Sequence, residues 1–493
     1  MKQRQARKQK VSSDLEENRQ FLADEIGLED SFDITAKEFR VAGRDALLVG
    51  VDAFMKEETY LYIISILTRL SRDDILPSPI ASLFERFVGN VECEIMNDMY
   101  DAADQILAGP AILFLDGESK CIAIDARVYP EREVAEPDLE RVMRGPRDGF
   151  VETLVHNVGL LRRRVRDYSL RTEYESAGSR SQTDIAICYL EDIANPETVE
   201  RVRESIQQID IDALPMGERT VAEFLTPWHS DWNPFPVVRY TERPDMVAVY
   251  LFEGHVAVMV DGSPAVLLLP VTVFHHLQHA EEFHESVING TFIRWARYLA
   301  VLVAWLGIPL WVMFSENQHL LPEALKFIGP EEEVVVPLVA QFIIAEFGME
   351  FIRMGLIHTP TALGTSLGII GAVLLGELAV EVGLFASEAI LYVAIAVLAY
   401  FALPSWELGV ALRLFRLIYL VVLALTGPIG FGIAVVLTIV VMITTRSWDM
   451  PYLWPLIPPD WSGLGQILYR RPGTDPGKRP RLLKPGDRDR GPG

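Results

Sequence analysis

The stretch LIYLVVLALTGPIGFGIAVVLTIVVMITT, residues 417–445, contains no charged side chain and is too long for a single bilayer crossing. About 20 apolar residues suffice to span the hydrocarbon core. Gly427-Pro428-Ile429-Gly430 interrupts the run. Glycine and proline together mark turns, so this stretch predicts two short spans, 411–426 and 428–445, joined at the break. On this reading Arg413 and Arg416, near the start of the first span, snorkel to the interface.

Working outward, residues 298–314 form a first span, with Arg294 and Arg297 before it and Glu316 after it. Residues 334–352 form a second, preceded by Glu331, Glu332 and Glu333 and followed by Arg353. Residues 363–385 and 389–406 form a third and a fourth. The region 294–446 therefore reads as an all-α polytopic transmembrane domain of four to six helices. Under a count of six, Arg294, Arg297, Arg353, Arg413, Arg416 and Arg446 fall on one side, and Glu316, Glu331–Glu333 and Glu388 on the other. Positive residues favour the cytoplasmic face, which places both termini in the cytoplasm. Span 334–352 is the weakest member, since Glu346 and Glu350 fit a re-entrant or interfacial helix as well.

The rest of the 493-residue chain reads differently. Net charge is −23 and mean hydropathy +0.19, with 50% apolar residues gathered toward the C-terminal half. So acidic a chain is not expected to bind nucleic acid, which needs clustered Lys and Arg. Cys93, Cys121 and Cys188 show no CxxC spacing and fit a reducing compartment. Residues 1–30 read as a basic tail with no apolar core behind it, hence no secretory signal. Two α/β subdomains follow, 31–160 and 180–290. Their signals are an apolar run at 46–51, helical spacing at 60–70, a hairpin of 110–115 with 121–126, and a basic segment at 160–171. A strand at 184–190 and a helix opened by Pro196 come next. Residues 247–252, 255–260 and 265–269 read as strands. Residues 447–493 read as a cytoplasmic tail, disordered from about 470. The fold class is thus an α/β cytoplasmic region of two subdomains followed by an all-α membrane domain.

Four carboxylates lie within or at the edges of the apolar spans: Glu346, Glu350, Glu377 and Glu381. Insertion scales charge such a side chain roughly 2.5–3.5 kcal/mol, so it marks a protein-lined or wet environment. Glu377 and Glu381 share one stripe of the third span, while Gly364, Gly368, Ala372 and Gly376 form a ridge on another, suited to close helix packing. Glu346 and Glu350 form a second stripe, with Arg353 placed for a local ion pair. Two acidic stripes attract cations if several subunits surround an axis. The bland alternatives are that Glu381 is a solvated exit charge and that Glu350 is neutralised by Arg353. His275, His276, His279 and His284 cluster with Glu281, Glu282 and Glu285 before the first span. His275 and His279 are spaced to share a helix face, as metal ligands would, but HExxH is absent and a polar collar is the simpler reading. No Walker loop, GxSxG or GxGxxG stands in a fitting context, and neither enzyme activity nor a cofactor is expected.

Ser181-Gln182-Thr183-Asp184-Ile185-Ala186, Arg243-Pro244-Asp245, Val260-Asp261-Gly262-Ser263-Pro264, His358-Thr359-Pro360-Thr361 and Gly371-Ala372-Val373-Leu374-Leu375-Gly376-Glu377 follow one another along the chain. In that order these segments resemble the GerA family of spore germination proteins. Receptor A subunits commonly have an REAG-like stretch where this chain has Ile352-Arg353-Met354-Gly355-Leu356, which sets it apart from them. The resemblance implies a membrane protein of the bacterial endospore inner membrane, acting in germination. It implies a homo-oligomer, with a pentamer as the expected count, forming a cation channel, with a small integral membrane partner and other germination proteins around it. A non-conducting scaffold or signalling subunit is the alternative within that class. A membrane metalloenzyme using the histidine segment is the alternative outside it.

Overall fold

The computed structural model describes residues 7–487 and 489, apart from 88–91, 130–139, 141, 227–231, 326–327, 331–334, 359–368, 370–372, 374–378 and 473–476. Two β-sheet subdomains form a head, and apolar helices extend from it.

The first sheet runs β1 (Ile34–Val41), β2 (Arg44–Val51), β3 (Glu92–Met96), β4 (Ala111–Leu115) and β5 (Cys121–Asp125), in the spatial order β1-β2-β4-β5-β3. Every pairing is antiparallel. The unbroken apolar run at 46–51 follows from helices covering both faces. Leu47, Val49 and Val51 join Leu22, Met99 and Ile106 on one side, while Ala46 and Leu48 join Tyr60, Ile63 and Leu67 on the other. Successive strand residues point to opposite faces, so both faces must be apolar. Ala42 and Gly43, both at positive φ, make the tight turn joining β1 to β2.

The second sheet repeats that order. Its strands are β6 (Leu170–Ala177), β7 (Thr183–Leu190), β8 (Arg239–Thr241), β9 (Val256–Val260) and β10 (Val266–Leu269), arranged β6-β7-β9-β10-β8. Helices Pro196–Gln207 and Gly217–Leu225 cover one face, and Leu154–Arg164 and Pro244–Glu253 the other. Residues 247–252, expected as a strand, are therefore helical. Pro244 opens that helix and Gly254, at φ 102, ends it in the left-handed region. Residues 1–30 are likewise more than a tail. Leu15–Ile26 is a helix capped by Asp14, and Phe21, Leu22 and Ile26 are buried in the first core.

One ion pair locks the subdomains together. Arg162, fully buried on the second subdomain's helix, meets Asp33 at 2.8 and 2.9 Å, just ahead of β1. Thr172 of β6 bonds the same carboxylate, and Phe32 N–H donates to Thr172 O at 3.1 Å.

The first membrane helix, Val287–Glu316, passes through a wide π turn at Val303–Gly307. Leu338–His358 returns toward the head, since Arg353 lies over the Trp406 ring at 4.4 Å. Ser387–Phe401 also returns, its first turn near Gln341 and its last near Trp406. The helical segment Trp406–Thr444 is broken at Gly427 (φ 73, ψ −165). Tyr419 and Phe431, whose rings are 5.7 Å apart, would stand about 18 Å apart along a straight helix at 1.5 Å per residue. The segment is a hairpin, with its tip residues Leu425 and Ile429 exposed. Its returning arm reaches the head, where Asn233 donates to Thr445 Oγ1 at 2.7 Å. Beyond it, β11 (Arg446–Ser447) and β12 (Met450–Pro451) pin to the second subdomain, and the helix Trp461–Leu468 packs on the first membrane helix. Described residues past 470 are ordered too: Leu483 is buried and Arg479 donates to Phe252 O at 2.8 Å.

Candidate functional site

The apolar helices carry one dense group of charges. Glu346 and Glu350 lie four apart on the Leu338–His358 helix and share a face. Arg413 and Arg416, three apart on the outgoing arm of the hairpin, face them. Arg413 Nε donates to Glu346 Oε2 at 2.8 Å and its Nη2 to Glu346 O at 2.6 Å. Arg416 Nη2 meets Glu346 Oε1 at 2.5 Å, and its Nη1 donates to Ala304 O of the first membrane helix at 2.6 Å. Glu350 binds both Arg413 and Arg353. Glu346 and Arg416 are each only 2% exposed.

Two expectations change here. Arg413 and Arg416 do not snorkel, because a buried carboxylate holds them inside the helix group. Nor do Glu346 and Glu350 offer an acidic surface. Three guanidiniums against two carboxylates leave a formal charge of +1, which repels a cation. The group ties three apolar helices together, with Arg413 bonded at once to two carboxylates one turn apart. A cavity of about 300 Å³ opens beside it, walled by Met349, Ile352, Val397, Tyr400 and Phe401.

Glu381 lies elsewhere. It ends the short helix Ala379–Glu381 and is exposed, next to Val382 (64% exposed) and Leu384. Glu377 and the ridge Gly364, Gly368, Ala372 and Gly376 lie outside the described residues.

A second charge group sits where the head meets the first membrane helix, and sequence reading missed it. Glu282, fully buried, binds Arg294 at 2.7 Å and also Arg297. Arg294 donates as well to Gln466 O (2.7 Å) and Ile467 O (2.9 Å), and Arg297 to Leu277 O (2.9 Å). The available signal was a carboxylate flanked by His279 and His284 and followed, 12 and 15 residues on, by two arginines at the start of an apolar run.

The histidines do not share a helix face. His275 belongs to Val273–Leu277 and accepts from Thr272 N–H at 2.9 Å, whereas His279 caps the separate helix Ala280–His284. Burial pushes the His276 imidazole down to about 3, helped by Arg239. Burial also pushes His279 down to about 4, against the pull of Glu140. Among the described residues no group of three or more potential ligands could hold a metal ion. Near His284, Asp245 is partly buried, but the Arg243 guanidinium outweighs that burial and holds its carboxyl below the usual range.

Comparison with known proteins places this architecture. The family model described as Bacillus/Clostridium GerA spore germination protein matches residues 22–482. The chain is 40% identical over 475 residues to Stage V sporulation protein AF of Bacillus subtilis (strain 168), covering 96% of each chain. It is 28% identical over 483 residues to Spore germination protein B1 of the same organism, covering 97% of this chain and 99% of that one. Among solved structures, the N-terminal domain of the A subunit of the Bacillus megaterium spore germinant receptor GerK3 aligns with a TM-score of 0.43 and 23% identity, covering 54% of this chain and 97% of that one. With a match running over residues 22–482, the chain belongs to the GerA family of spore germination membrane proteins.

Proposed function

We propose that this protein is a subunit of an oligomeric cation channel that promotes ion release during spore germination, with its head in the cytoplasm. The observation that carries this reading is the separation of the carboxylates. Glu346 and Glu350 are neutralised within the subunit, while Glu381 stays exposed among exposed apolar side chains. A carboxylate beside a lipid-facing surface needs a wet neighbour. Several copies around an axis supply one, and Glu377, four residues earlier in the sequence, is the second carboxylate of this reading. Arg294, Arg297 and Arg353 lie toward the head end, which supports a cytoplasmic head. Gly427 and the π turn interrupt two of the long helices, a feature of membrane segments packed against protein or lining water.

The test is potassium flux through proteoliposomes holding the full chain, compared with Glu377→Gln, Glu377→Ala and Glu381→Gln. Slower or less cation-selective flux in these variants is the expected result. Unchanged rate and selectivity in all three would remove both carboxylates from the conducting path. A monomer by detergent-corrected mass would leave too few helices around any axis to make the pore.

A further inference from the structure

Where the first membrane helix leaves the head, the C-terminal segment walls a cavity of about 500 Å³. Arg294, Arg470, Arg471 and Arg479 line it, and Glu253 is the acidic residue among its lining. Phe274, Phe283 and Trp454 supply apolar walls. Arg294 has Glu282 as counter-charge, and Arg479 has Asp487 at 2.9 Å. Arg470 is oriented but not neutralised. Its Nη2 donates to Phe283 O at 2.8 Å, its backbone N–H to Thr291 Oγ1 at 3.2 Å, and its Nε is buried without a hydrogen-bond partner among the described residues. Among those residues neither Arg470 nor Arg471 has a carboxylate partner. In a chain of net charge −23, this is a concentrated cationic recess.

Its level relative to the membrane follows from its neighbours. Trp295 Nε1 donates to Leu468 O at 3.1 Å and Tyr298 Oη to Ile467 O at 3.0 Å, so the Trp461–Leu468 helix lies along the head-proximal turns of the first membrane helix. Exposed at this level are Ile288, Phe292, Trp461 (83%) and Tyr469. Tryptophan and tyrosine concentrate at the headgroup layer, where their rings meet apolar chains and their polar tips meet water.

We propose that this cavity binds a phosphate-bearing anion, supplied by the headgroup of an anionic phospholipid in the leaflet nearest the head. Guanidinium forks match phosphate oxygens in pairs. The volume is that of a small-molecule site, and an anionic leaflet draws juxtamembrane arginines toward it. Occupancy would tie the C-terminal segment to the first membrane helix, since Arg294 already bonds the carbonyls of residues 466 and 467.

The experiment uses the full chain in nanodiscs of phosphatidylcholine with and without phosphatidylglycerol, with retained lipid counted by native mass spectrometry. Phosphatidylglycerol should be retained over phosphatidylcholine by roughly tenfold, a difference of about 1.4 kcal/mol. The paired substitution Arg470→Gln with Arg471→Gln should abolish that preference, while Lys484→Gln, which removes an exposed charge away from the cavity, should keep it. Equal retention of the two lipids, or an unchanged preference in the paired variant, overturns the proposal. A parallel arm adds inorganic phosphate to lipid-depleted protein in detergent. A rise in unfolding temperature that depends on the same arginines, with no lipid preference in nanodiscs, overturns the lipid source in favour of a soluble phosphate.

Discussion

Glu282 and Glu346 are both buried carboxylates held by two arginines, but their partners come from different distances. Glu282 takes Arg294 and Arg297 from 12 and 15 residues along the chain, and the same arginines bond carbonyls of the head and the C-terminal helix. Glu346 takes Arg413 from 67 residues away, and Arg416 from the same arm, across a contact between separate membrane helices. The near group fixes how one helix leaves the head. The far group fixes which helices are neighbours. Glu381 completes the series as an exposed carboxylate held by nothing among the described residues.

The contrast can be broken most forcefully at Glu282. Glu282→Ala leaves two buried guanidiniums without a counter-charge, and removing one partner of a buried pair costs about 3–5 kcal/mol. Loss of folded protein, or a large fall in unfolding temperature in detergent, is expected. Glu346→Ala should cost less, because Arg413 keeps Glu350. Replacing Glu346 and Arg416 together by Leu and Met should recover part of that loss, which a double-mutant cycle reads directly. If the double variant is as unstable as the sum of the singles, the two side chains are not coupled.

Next in size is a pH effect in the head. The His276 imidazole titrates near 3 when folded and near 6.5 when unfolded, so the unfolded chain binds the proton more readily. Its stability contribution is intact above about pH 6.5 and is lost as pH falls toward 3, by roughly 2 kcal/mol at about pH 5. Unfolding temperatures at neutral pH and about pH 5 should show the fall, and His276→Phe should reduce it, leaving the part that His279 supplies. An equal fall in that variant would move the effect to other groups. The smallest change is expected for Glu381→Gln, whose exposed carboxylate should alter stability by less than about 0.5 kcal/mol. Its stability and its ion flux are therefore separable readouts. A large stability loss there would mean that the carboxylate has a structural partner.

The central strands of both sheets and the hairpin were legible because short-range signals set them, whereas the edge strands β1, β3, β6 and β8 were not read. The 46–51 and 255–260 runs announce buried strands, and Gly427-Pro428 announces a turn. Residues 247–252 misled because a continuous apolar run fits a buried strand or a buried helix equally. Pro244 and Gly254, which bracket it, were the deciding marks. The arginine partners of Glu346 were not legible. Spacing puts Glu346 and Glu350 on one face and Arg413 and Arg416 on another, but nothing local says that the two faces meet. His275 and His279 were misjudged for the opposite reason. The chain turns between them at Gln278, so a spacing of four does not mean a shared face.

The Arg162–Asp33 pair carries a mechanical consequence. Sliding one subdomain against the other without admitting water would separate Arg162 from Asp33 while both stay buried, at a cost of about 3–5 kcal/mol. The two sheets are therefore tied at a dry contact that tolerates little sliding between them.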